Sequence, residues 1–517
     1  MYHGRGQSSF FIRGWLLRHE RKIAVVLLLL AAAVRLIALT HLPADLNQDE
    51  ASTGYEAWAL LNYGVDRCGN RWPVLLMSWG SGQNVLYSLL DIPFIAVLGL
   101  NMLSLRLPAA LIGIAAVVMF WRLARLCRGK VCGLCALLLI TINPWHIMAS
   151  RWALESNIMP AFLLTGLFCT VKARERIGWL YGAAVAFALA LYAYGTAFFF
   201  LPVFLVFYVL FERKLLREKA FYWAGGLFIL VSLPIALCQL INLTGGESLT
   251  IMGMTVPKLT QTRQEAVSVF GSGFSGMVKN AGDFFKLLVT QSDGLEYNAL
   301  PFSGLYYIFG LPLSIVGMCR SIKERNAHKK ETPLRLALYT MCLCACLISV
   351  NINRINMVWL PLLYFQSVGL EWVQMRLGAK GQTIAMTGIL LCFALFLVNY
   401  GKRGTEESNL EGLNHAIAFA ETVTDQDIYI TDSLHAPYIY VLFLRQIPPV
   451  EFSDTVVYSN PEGAFRDVRS FSQYRFREKE GVSCLVLERE EVNGEYVRLA
   501  EFGDYVVCVK RSDRSMN

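Results

Sequence analysis

The stretch that decides the fold class is Ile23–Leu39, which reads IAVVLLLLAAAVRLIAL. It is long enough to cross the hydrocarbon layer of a bilayer as one helix. No small-residue cleavage site follows it, so we interpret it as a membrane anchor and not as a removed signal peptide. Comparable apolar runs recur at Leu107–Trp121, Trp179–Tyr194, Phe221–Leu240 and Ile384–Tyr400.

The composition also indicates an integral membrane protein. Of the 517 residues, 55% are hydrophobic and 17% are charged, whereas soluble domains average about a quarter charged. The net charge of +8 comes from Lys and Arg in short loops, as the positive-inside rule predicts, so no nucleic-acid partner is expected. Most of the 13 cysteines lie in apolar runs, and no zinc site is predicted among them. Cys484 and Cys508 lie in two strand-like segments and are a candidate pair.

Basic clusters orient the helices. Four basic residues between 13 and 22 precede the first run, so the N-terminus is predicted to be cytoplasmic and the chain from His41 onward to lie outside. The run Val85–Leu100 is short and carries Asp91 and Pro93. If it lies at the outer interface, every later basic cluster falls inside. We therefore predict eleven spans at about 23–40, 104–122, 131–148, 158–172, 178–194, 196–212, 221–241, 303–319, 335–350, 355–371 and 383–400.

The chain changes character near residue 402, where charges become frequent. The expected fold class is an α-helical polytopic membrane domain with outer-face interfacial helices, residues 1–402, followed by a small extracytoplasmic α/β domain, residues 403–517. The predicted elements of this last domain are an amphipathic helix at Leu410–Val423, a strand at Ile428–Thr431, a helix at Pro437–Leu444, and strands at Ser483–Glu488 and Tyr505–Lys510.

Two adjacent carboxylates, Asp49 and Glu50, follow the first span by a few residues. Carboxylates at a membrane surface are costly to place without a use, which makes them functional candidates. The alternative is that they face water and cap a helix beginning near Ala51, because Asp is a good N-cap. These residues alone do not separate the two interpretations.

Further candidates lie in two short outer segments. Arg151 and Glu155 are four residues apart, so on a helix they share one face, where they either pair or supply a phosphate-binding cation and a second carboxylate. His146 alone is more typical of a hydrogen-bonded interfacial residue than of a catalyst. Arg354 lies in the polar turn Asn351–Asn356; its fork of donors suits a phosphate, although it can also snorkel to a lipid headgroup.

Aromatic and amide side chains populate the remaining outer loops. They suit the apolar platform and polar rim of a carbohydrate ring, and equally an interfacial aromatic belt. They are Trp58, Tyr63, Trp72, Trp79, Gln83, Asn84, Tyr87, Tyr297, Asn298 and Tyr306.

Taken together, residues His41–Gly195 resemble the GT-C superfamily of membrane glycosyltransferases, of the glycosyltransferase family 39-like group that includes protein O-mannosyltransferases and lipid A aminoarabinose transferases. The likeness rests on the Asp-Glu pair after the first span, the interfacial helix and a carboxylate-bearing second loop. The motifs that carry it are Gly54-Tyr55-Glu56-Ala57, Gly80-Ser81-Gly82-Gln83-Asn84, Ser104-Leu105-Arg106-Leu107-Pro108 and Ser150-Arg151-Trp152.

The resemblance implies a polyprenyl-phosphate-linked sugar as donor and a glycan, lipid or protein acceptor on the outer face of a membrane, expected to be a bacterial plasma membrane. Asp49 would be the general base, Glu50 would support it, and Glu155 would replace a second-loop Asp of several relatives. No cofactor is required and no metal ligands are assigned, although some GT-C enzymes use a divalent cation. Residues implied in binding the donor phosphate or substrate are Arg354, Arg151, Arg106, His146, Tyr55, Gln83 and Asn84.

The alternative function is a transporter or flippase of lipid-linked saccharides. It predicts charges midway along spans and discontinuous helices near the bilayer centre. Here the charges gather at the outer ends of helices, which favours chemistry at the surface. A scaffold that binds glycan without turnover would leave the Asp-Glu pair without a purpose. We therefore expect an inverting glycosyltransferase, because direct attack on the anomeric carbon inverts it.

Overall fold

The protein is mostly helical. The computed structural model describes residues 14–261, 273–295, 297–403 and 409–511. The α-helices described are α1 (Glu20–Leu36), α2 (Gln48–Tyr63), α3 (Leu86–Leu98), α4 (Met102–Arg128), α5 (Lys130–Ile142), α6 (Pro144–Ala149), α7 (Glu155–Ala173), α8 (Trp179–Ala193), α9 (Ala197–Phe211), α10 (Lys219–Thr244), α11 (Gly273–Thr290), α12 (Gly310–Lys323), α13 (Thr332–Leu347), α14 (Trp359–Arg376), α15 (Ala379–Lys402), α16 (Asn409–Val423), α17 (Pro437–Arg445) and α18 (Pro449–Thr455).

Several of these helices suit a bilayer. In the described part of the chain, α4, α7, α10 and the Lys380–Lys402 part of α15 are long and apolar enough to cross a membrane. The shorter apolar helices α3, α5, α8 and α9 accompany them. The expected α-helical class is confirmed, whereas the count of eleven spans stays a prediction.

The helix predicted to lie at the interface is α3. Its 13 residues extend about 20 Å at 1.5 Å per residue, which is short of the roughly 30 Å hydrocarbon thickness. Asp91 and Pro93 both lie inside it. This length is short for a helix that crosses a bilayer alone, and the interfacial position of α3 stays a prediction.

The chain forms two compact units. The first contains most of the apolar helices, and the second joins the long first loop to the C-terminal segment. The first unit is Met1–Leu39, Arg106–Pro234 and Gln264–Gly401, and the second is Thr40–Leu105, Ile235–Arg263 and Lys402–Asn517.

In the first unit, glycines allow α12 and α14 to touch backbone to backbone. A Cβ added at Gly317 would overlap the Phe365 carbonyl oxygen, and one at Gly369 would overlap the Leu313 carbonyl oxygen. Small residues at such crossings are what permits close packing of membrane helices. Both positions therefore require glycine.

A buried ion-pair cluster holds one end of the first unit together. The Arg128 guanidinium, 2% exposed, lies 2.6 Å from Glu331 and 3.4 Å from Glu371, and it also pairs with Glu324. Arg335 adds a second contact to Glu331 at 3.3 Å. Because each charge has partners, the cluster avoids the penalty of an uncompensated buried ion. It joins the end of α4 to α12, α13 and α14.

In the second unit, the C-terminal segment folds as the expected α/β domain. Its seven-stranded sheet has the order β10-β11-β9-β5-β8-β7-β6, with β5 parallel to β8 and β9 and the other pairs antiparallel. The four predicted elements from 428 onward and the helix α16 are confirmed, with ends shifted by at most one residue. The strands are β5 (Ile428–Ile430), β6 (Val457–Tyr458), β7 (Val468–Phe471), β8 (Tyr474–Arg475), β9 (Cys484–Glu488), β10 (Tyr496–Phe502) and β11 (Tyr505–Lys510).

The second unit also contains two short hairpins. They pair β1 (Leu75–Leu76) with β2 (Gln83–Asn84) and β3 (Leu249–Ile251) with β4 (Met254–Val256). The Val74 N–H donates to the Thr255 carbonyl oxygen at 2.9 Å, which attaches one hairpin to the other.

The candidate cysteine pair is not a disulfide. Cys484 and Cys508 are both free and buried, although their strands β9 and β11 are neighbours. The register pairs Cys508 with Leu485 and Cys484 with Val509. The two cysteines are therefore offset by one residue across the strand pair. Successive strand residues point to opposite faces, which explains why the pair does not form.

Candidate active site

Asp49 and Glu50 lie in the first turn of α2. Asn47 caps this helix: its side-chain oxygen accepts a hydrogen bond from the Asp49 N–H at 2.8 Å, and Glu50 Oε2 accepts one from the Asn47 N–H at 3.2 Å. The helix begins at Gln48 and not near Ala51, so the alternative in which Asp49 is the N-cap is wrong. Asp49 is half-buried and Glu50 fully buried. The positive end of the helix dipole favours both charges.

A third carboxyl group, Asp91 of α3, faces Glu50. Ser88 Oγ donates to the Thr53 carbonyl oxygen at 3.0 Å, and Asp91 and Glu50 lie one helical turn along from that contact. Asp91 is 0% exposed, and neither of its oxygens has a hydrogen-bond partner in the described part of the chain. Burial first, and then the Glu50 carboxylate, raise the pKa of Asp91 well above its usual value. Burial and the neighbouring carboxylate therefore favour the neutral form of Asp91.

Gln83 of β2 lies against α2. Gln83 accepts a hydrogen bond from Ser52 Oγ at 2.9 Å and donates one to Thr53 Oγ1 at 3.0 Å. Asn84 beside it is also buried. With both of its polar atoms engaged by α2, Gln83 is suited to position the helix that carries Asp49.

Tyr55 also serves the packing of α2. It is fully buried, and its hydroxyl donates to the Ile447 carbonyl oxygen at 2.6 Å. Tyr440 of α17 makes the reciprocal contact, donating to the Leu46 carbonyl oxygen at 3.2 Å. These two bonds fasten the C-terminal domain to both sides of the first turn of α2.

A buried ion pair fixes the loop that follows α2. Arg67 Nε lies 2.6 Å from Glu56 Oε1, and the Arg67 N–H donates to Oε2 at 3.0 Å; the two side chains are 1% and 0% exposed. Arg67 also donates to the Tyr438 hydroxyl at 3.1 Å and lies 5.4 Å from the centre of the Trp79 ring. Sequence reasoning did not identify this pair, because Glu56 appeared only as part of a motif.

In the first unit, Arg151 closes the C-terminus of α1. Its guanidinium donates at 2.9–3.0 Å to the carbonyl oxygens of Val34, Ile37 and Ala38. The last carbonyl groups of a helix have no partner within the helix and carry partial negative charge, so a cation there is stabilising. The structure thus gives Arg151 a capping role.

Arg106 lies close to the same helix end. Its guanidinium donates to the Leu39 carbonyl oxygen at 3.3 Å and lies 5.2 Å from the centre of the Trp152 ring. Its side chain is fully buried. Arg106 and Arg151 therefore place two positive charges at the C-terminal end of α1.

Arg151 and Glu155 do not share a helix face. Helix α6 ends at Ala149 and α7 begins at Glu155, so Arg151 lies in the non-helical connection between them. The premise of a four-residue helical spacing is therefore wrong. Leu154, in extended conformation with ψ 135°, is the N-cap of α7. Glu155 lies half-buried in its first turn, where the helix dipole favours a carboxylate.

His146 is held by Arg35, a residue of α1 that sequence reasoning did not single out. Arg35 Nη2 lies 2.8 Å from His146 Nδ1. A guanidinium can only donate, so Nδ1 accepts and the ring is neutral with its proton on Nε2. Ser150 Oγ donates to the His146 carbonyl oxygen at 2.5 Å. This arrangement supports the interpretation of His146 as a hydrogen-bonded structural residue.

Arg354 lies in the turn between α13 and α14. Its N–H donates to Asn351 Oδ1 at 2.7 Å, and its half-buried guanidinium contacts Ser349 Oγ. Asn356 donates to the Ser156 carbonyl oxygen and so ties this turn to the first turn of α7. The structure therefore brings the segment of Arg354 next to the segment of Glu155.

The chemistry available at these positions is that of carboxyl and guanidinium groups. Within the residues that the structure describes, no set of three or more His, Cys, Asp or Glu side chains is arranged to hold a metal ion.

Comparison with solved structures decides the fold. The chain matches ArnT from Cupriavidus metallidurans bound to undecaprenyl phosphate with a TM-score of 0.55 at 13% identity, covering 94% of this chain and 97% of that one. It has the GT-C fold.

Other comparisons agree with the GT-C fold. Residues 86–237 match the family model of dolichyl-phosphate-mannose-protein mannosyltransferase. The oligosaccharyltransferase AglB from Archaeoglobus fulgidus, in complex with an inhibitory peptide and a dolichol-phosphate, matches with a TM-score of 0.51 at 12% identity. That match covers 83% of this chain and 64% of AglB, so the chain spans less than two thirds of AglB. No curated protein sequence matches the chain.

Proposed function

We propose that this chain transfers a sugar from a polyprenyl-phosphate-linked donor to an acceptor hydroxyl or amine at the outer face of a plasma membrane. The observation that carries the proposal is the Asp49-Glu50 pair in the capped first turn of α2, in a chain with the GT-C fold. The undecaprenyl phosphate of the ArnT structure and the dolichol-phosphate of the AglB structure support a lipid phosphate as leaving group here.

Asp49 is the general base in this proposal. The raised pKa of Asp91 favours its neutral form, and Glu50 is fully buried with one oxygen bonded to the Asn47 N–H. Asp49 is half-buried in the first turn of α2, so a proton acceptor there can reach a substrate. Glu50 supports it by completing the capping box that fixes the first turn.

The reaction is a direct displacement. Asp49 takes the proton of the acceptor hydroxyl or amine as its oxygen or nitrogen bonds to the anomeric carbon. The bond from that carbon to the phosphate oxygen breaks, and its electron pair leaves with the polyprenyl phosphate. The attack comes from the side opposite the leaving group, so the anomeric configuration inverts.

The departing phosphate needs a cation, and we assign Arg354 to it. A guanidinium presents parallel donors that match phosphate oxygens, and it neutralises a phosphodiester without a metal. Arg106 and Arg151 donate to carbonyl oxygens at the C-terminal end of α1 and add positive charge. Glu155 is proposed as the second-loop carboxylate that orients the acceptor. Residues 1–402 form the catalytic membrane domain in this proposal, and residues 403–517 the extracytoplasmic one.

Proteoliposomes containing a panel of polyprenyl-phosphate-linked sugars test the proposal. We expect release of free polyprenyl phosphate by the native chain and by Asp45→Asn, which alters a carboxylate of the same segment. Asp49→Asn should release it about 10²–10⁴ times more slowly. Donor that crosses the bilayer intact would instead establish the transporter alternative. Full release by Asp49→Asn would refute the assignment of the base.

A further inference from the structure

A groove of about 680 Å³ opens between two helices of the first unit. Each helix turns one continuous face to it, because positions three and four apart on a helix lie on the same side. The lining residues are Met119, Arg122, Arg125 and Leu126 of α4, Thr165, Phe168, Cys169 and Lys172 of α7, and Trp179 of α8.

The groove has an apolar wall. Met119 and Leu126 lie on one side, and Phe168 on the other. The Phe168 ring packs edge-on against Trp179, with ring centres 6.0 Å apart. Trp179 is 40% exposed, and a tryptophan so placed at a helix end is typical of the membrane–water interface. An alkyl chain fits such a wall.

The groove is also lined by cations near the C-terminal ends of α4 and α7, namely Arg122, Arg125 and Lys172. On the α4 side, Arg125 lies 3.2 Å from Glu20, but Lys130 shares that carboxylate at 3.1 Å. Arg122 is exposed, and no described carboxylate lies within 4.0 Å of it. This side therefore presents two groove-lining cations, and the one carboxylate that pairs with Arg125 is shared with Lys130.

The α7 side repeats the imbalance. Lys172 lies 2.8 Å from Glu175, and Lys330 contacts the same carboxylate at 2.5 Å. Three cations, Arg122, Arg125 and Lys172, thus line the groove. The carboxylates that pair with Arg125 and Lys172 are each shared with a further lysine. This surplus of positive charge next to an apolar wall suits a ligand that has an anionic head and a hydrocarbon tail.

We propose that this groove binds an anionic phospholipid of the surrounding bilayer. Its phosphate lies among Arg122, Arg125 and Lys172, and one acyl chain follows Met119 and Phe168. Basic pockets between membrane helices recognise anionic headgroups through such clusters. The predicted topology places these cations on the cytoplasmic side, whereas the proposed sugar transfer occurs at the outer face, so the site does not depend on the transfer chemistry.

Native mass spectrometry of the full chain, released from nanodiscs of equal phosphatidylglycerol and phosphatidylcholine, tests this. The native chain should retain phosphatidylglycerol preferentially. Arg122→Gln/Arg125→Gln should reduce that retention about 30-fold, from the contribution of two basic residues at an anionic surface. The control Arg213→Gln/Lys214→Gln removes two exposed charges outside the groove and should retain as much as the native chain.

A second measurement does not depend on the stability of the double variant. Phosphatidylglycerol with brominated chains should quench the fluorescence of the native chain more than that of Trp179→Phe, and brominated phosphatidylcholine should quench both equally. Equal retention of the two phospholipids, equal loss in the control variant, or retention of polyprenyl phosphate in place of phospholipid would each overturn the proposal.

Discussion

Removing the charge of Glu56 tests whether the buried ion pair holds α2 in place. In Glu56→Gln the Arg67 guanidinium loses the carboxylate that lies 2.6 Å away, in a site where both side chains are at most 1% exposed. A buried charge that loses its partner costs about 3–5 kcal/mol. The second unit has about 210 residues, for which each kcal/mol lowers the thermal midpoint by roughly 2–4 °C. We therefore expect a decrease of about 6–20 °C.

The assay is thermal unfolding of the chain in nanodiscs, followed by intrinsic fluorescence. The matched control is Glu478→Gln, which breaks an exposed Arg–Glu pair of the same unit whose side chains are 47% and 59% exposed. Exposed pairs contribute about 0–1 kcal/mol, so the control should shift by only a few degrees. Equal shifts in the two variants would refute the reasoning. Adding Arg67→Met to Glu56→Gln should recover part of the loss, because the unpaired charge is gone.

Three further substitutions should each change the stability or the yield of folded protein in a stated direction. Asp91→Asn should stabilise the fold at pH 8 and lose that advantage near pH 4. Because the pKa of Asp91 is raised in the folded state, this carboxyl group destabilises the folded protein only above its unfolded pKa of about 3.9. Gly369→Ala should prevent the contact of α12 with α14 and abolish folded protein, measured as monodisperse yield after extraction. Arg151→Gln should lower the thermal midpoint, because it removes charge-assisted hydrogen bonds to three carbonyl oxygens.

Each of these has its own control and contrary outcome. An Asp91→Asn advantage that grows towards pH 4 would contradict the raised pKa of Asp91. Gly388→Ala, where a new Cβ meets nothing within 4 Å, should fold normally; if Gly369→Ala folds equally well, the helix contact is not as close as described. The control Arg151→Lys should retain part of the stability that Arg151→Gln loses. If Arg151→Gln abolished donor binding without lowering the thermal midpoint, Arg151 would be assigned to the substrate instead.

The sequence predicted the elements that depend on local pattern. Strand β11 occupies Tyr505–Lys510 as expected, and α16 ends at Val423 as expected, because alternation and amphipathic spacing are local properties. The helical spacing of Arg151 and Glu155 failed for a local reason as well. The backbone at Leu154 is extended, and no periodicity in the sequence indicated that break.

The features that shape the candidate site depend on distant contacts. Tyr55 donates a hydrogen bond to a carbonyl group 392 residues away, and Arg67 donates one to Tyr438. Such long-range contacts produce no periodic pattern in the sequence. Asp91 could have been found, since an isolated carboxyl group in an apolar helix is a functional candidate. Its relation to Glu50 required the packing of α3 on α2.

The most direct test of the central claim is the rate of a single turnover with saturating donor. For Asp49→Asn we expect a transfer rate about 10²–10⁴ lower than native, the usual contribution of a general base, with donor binding unchanged and Asp45→Asn as fast as native. A transfer rate in Asp49→Asn equal to that of the native chain would contradict the account.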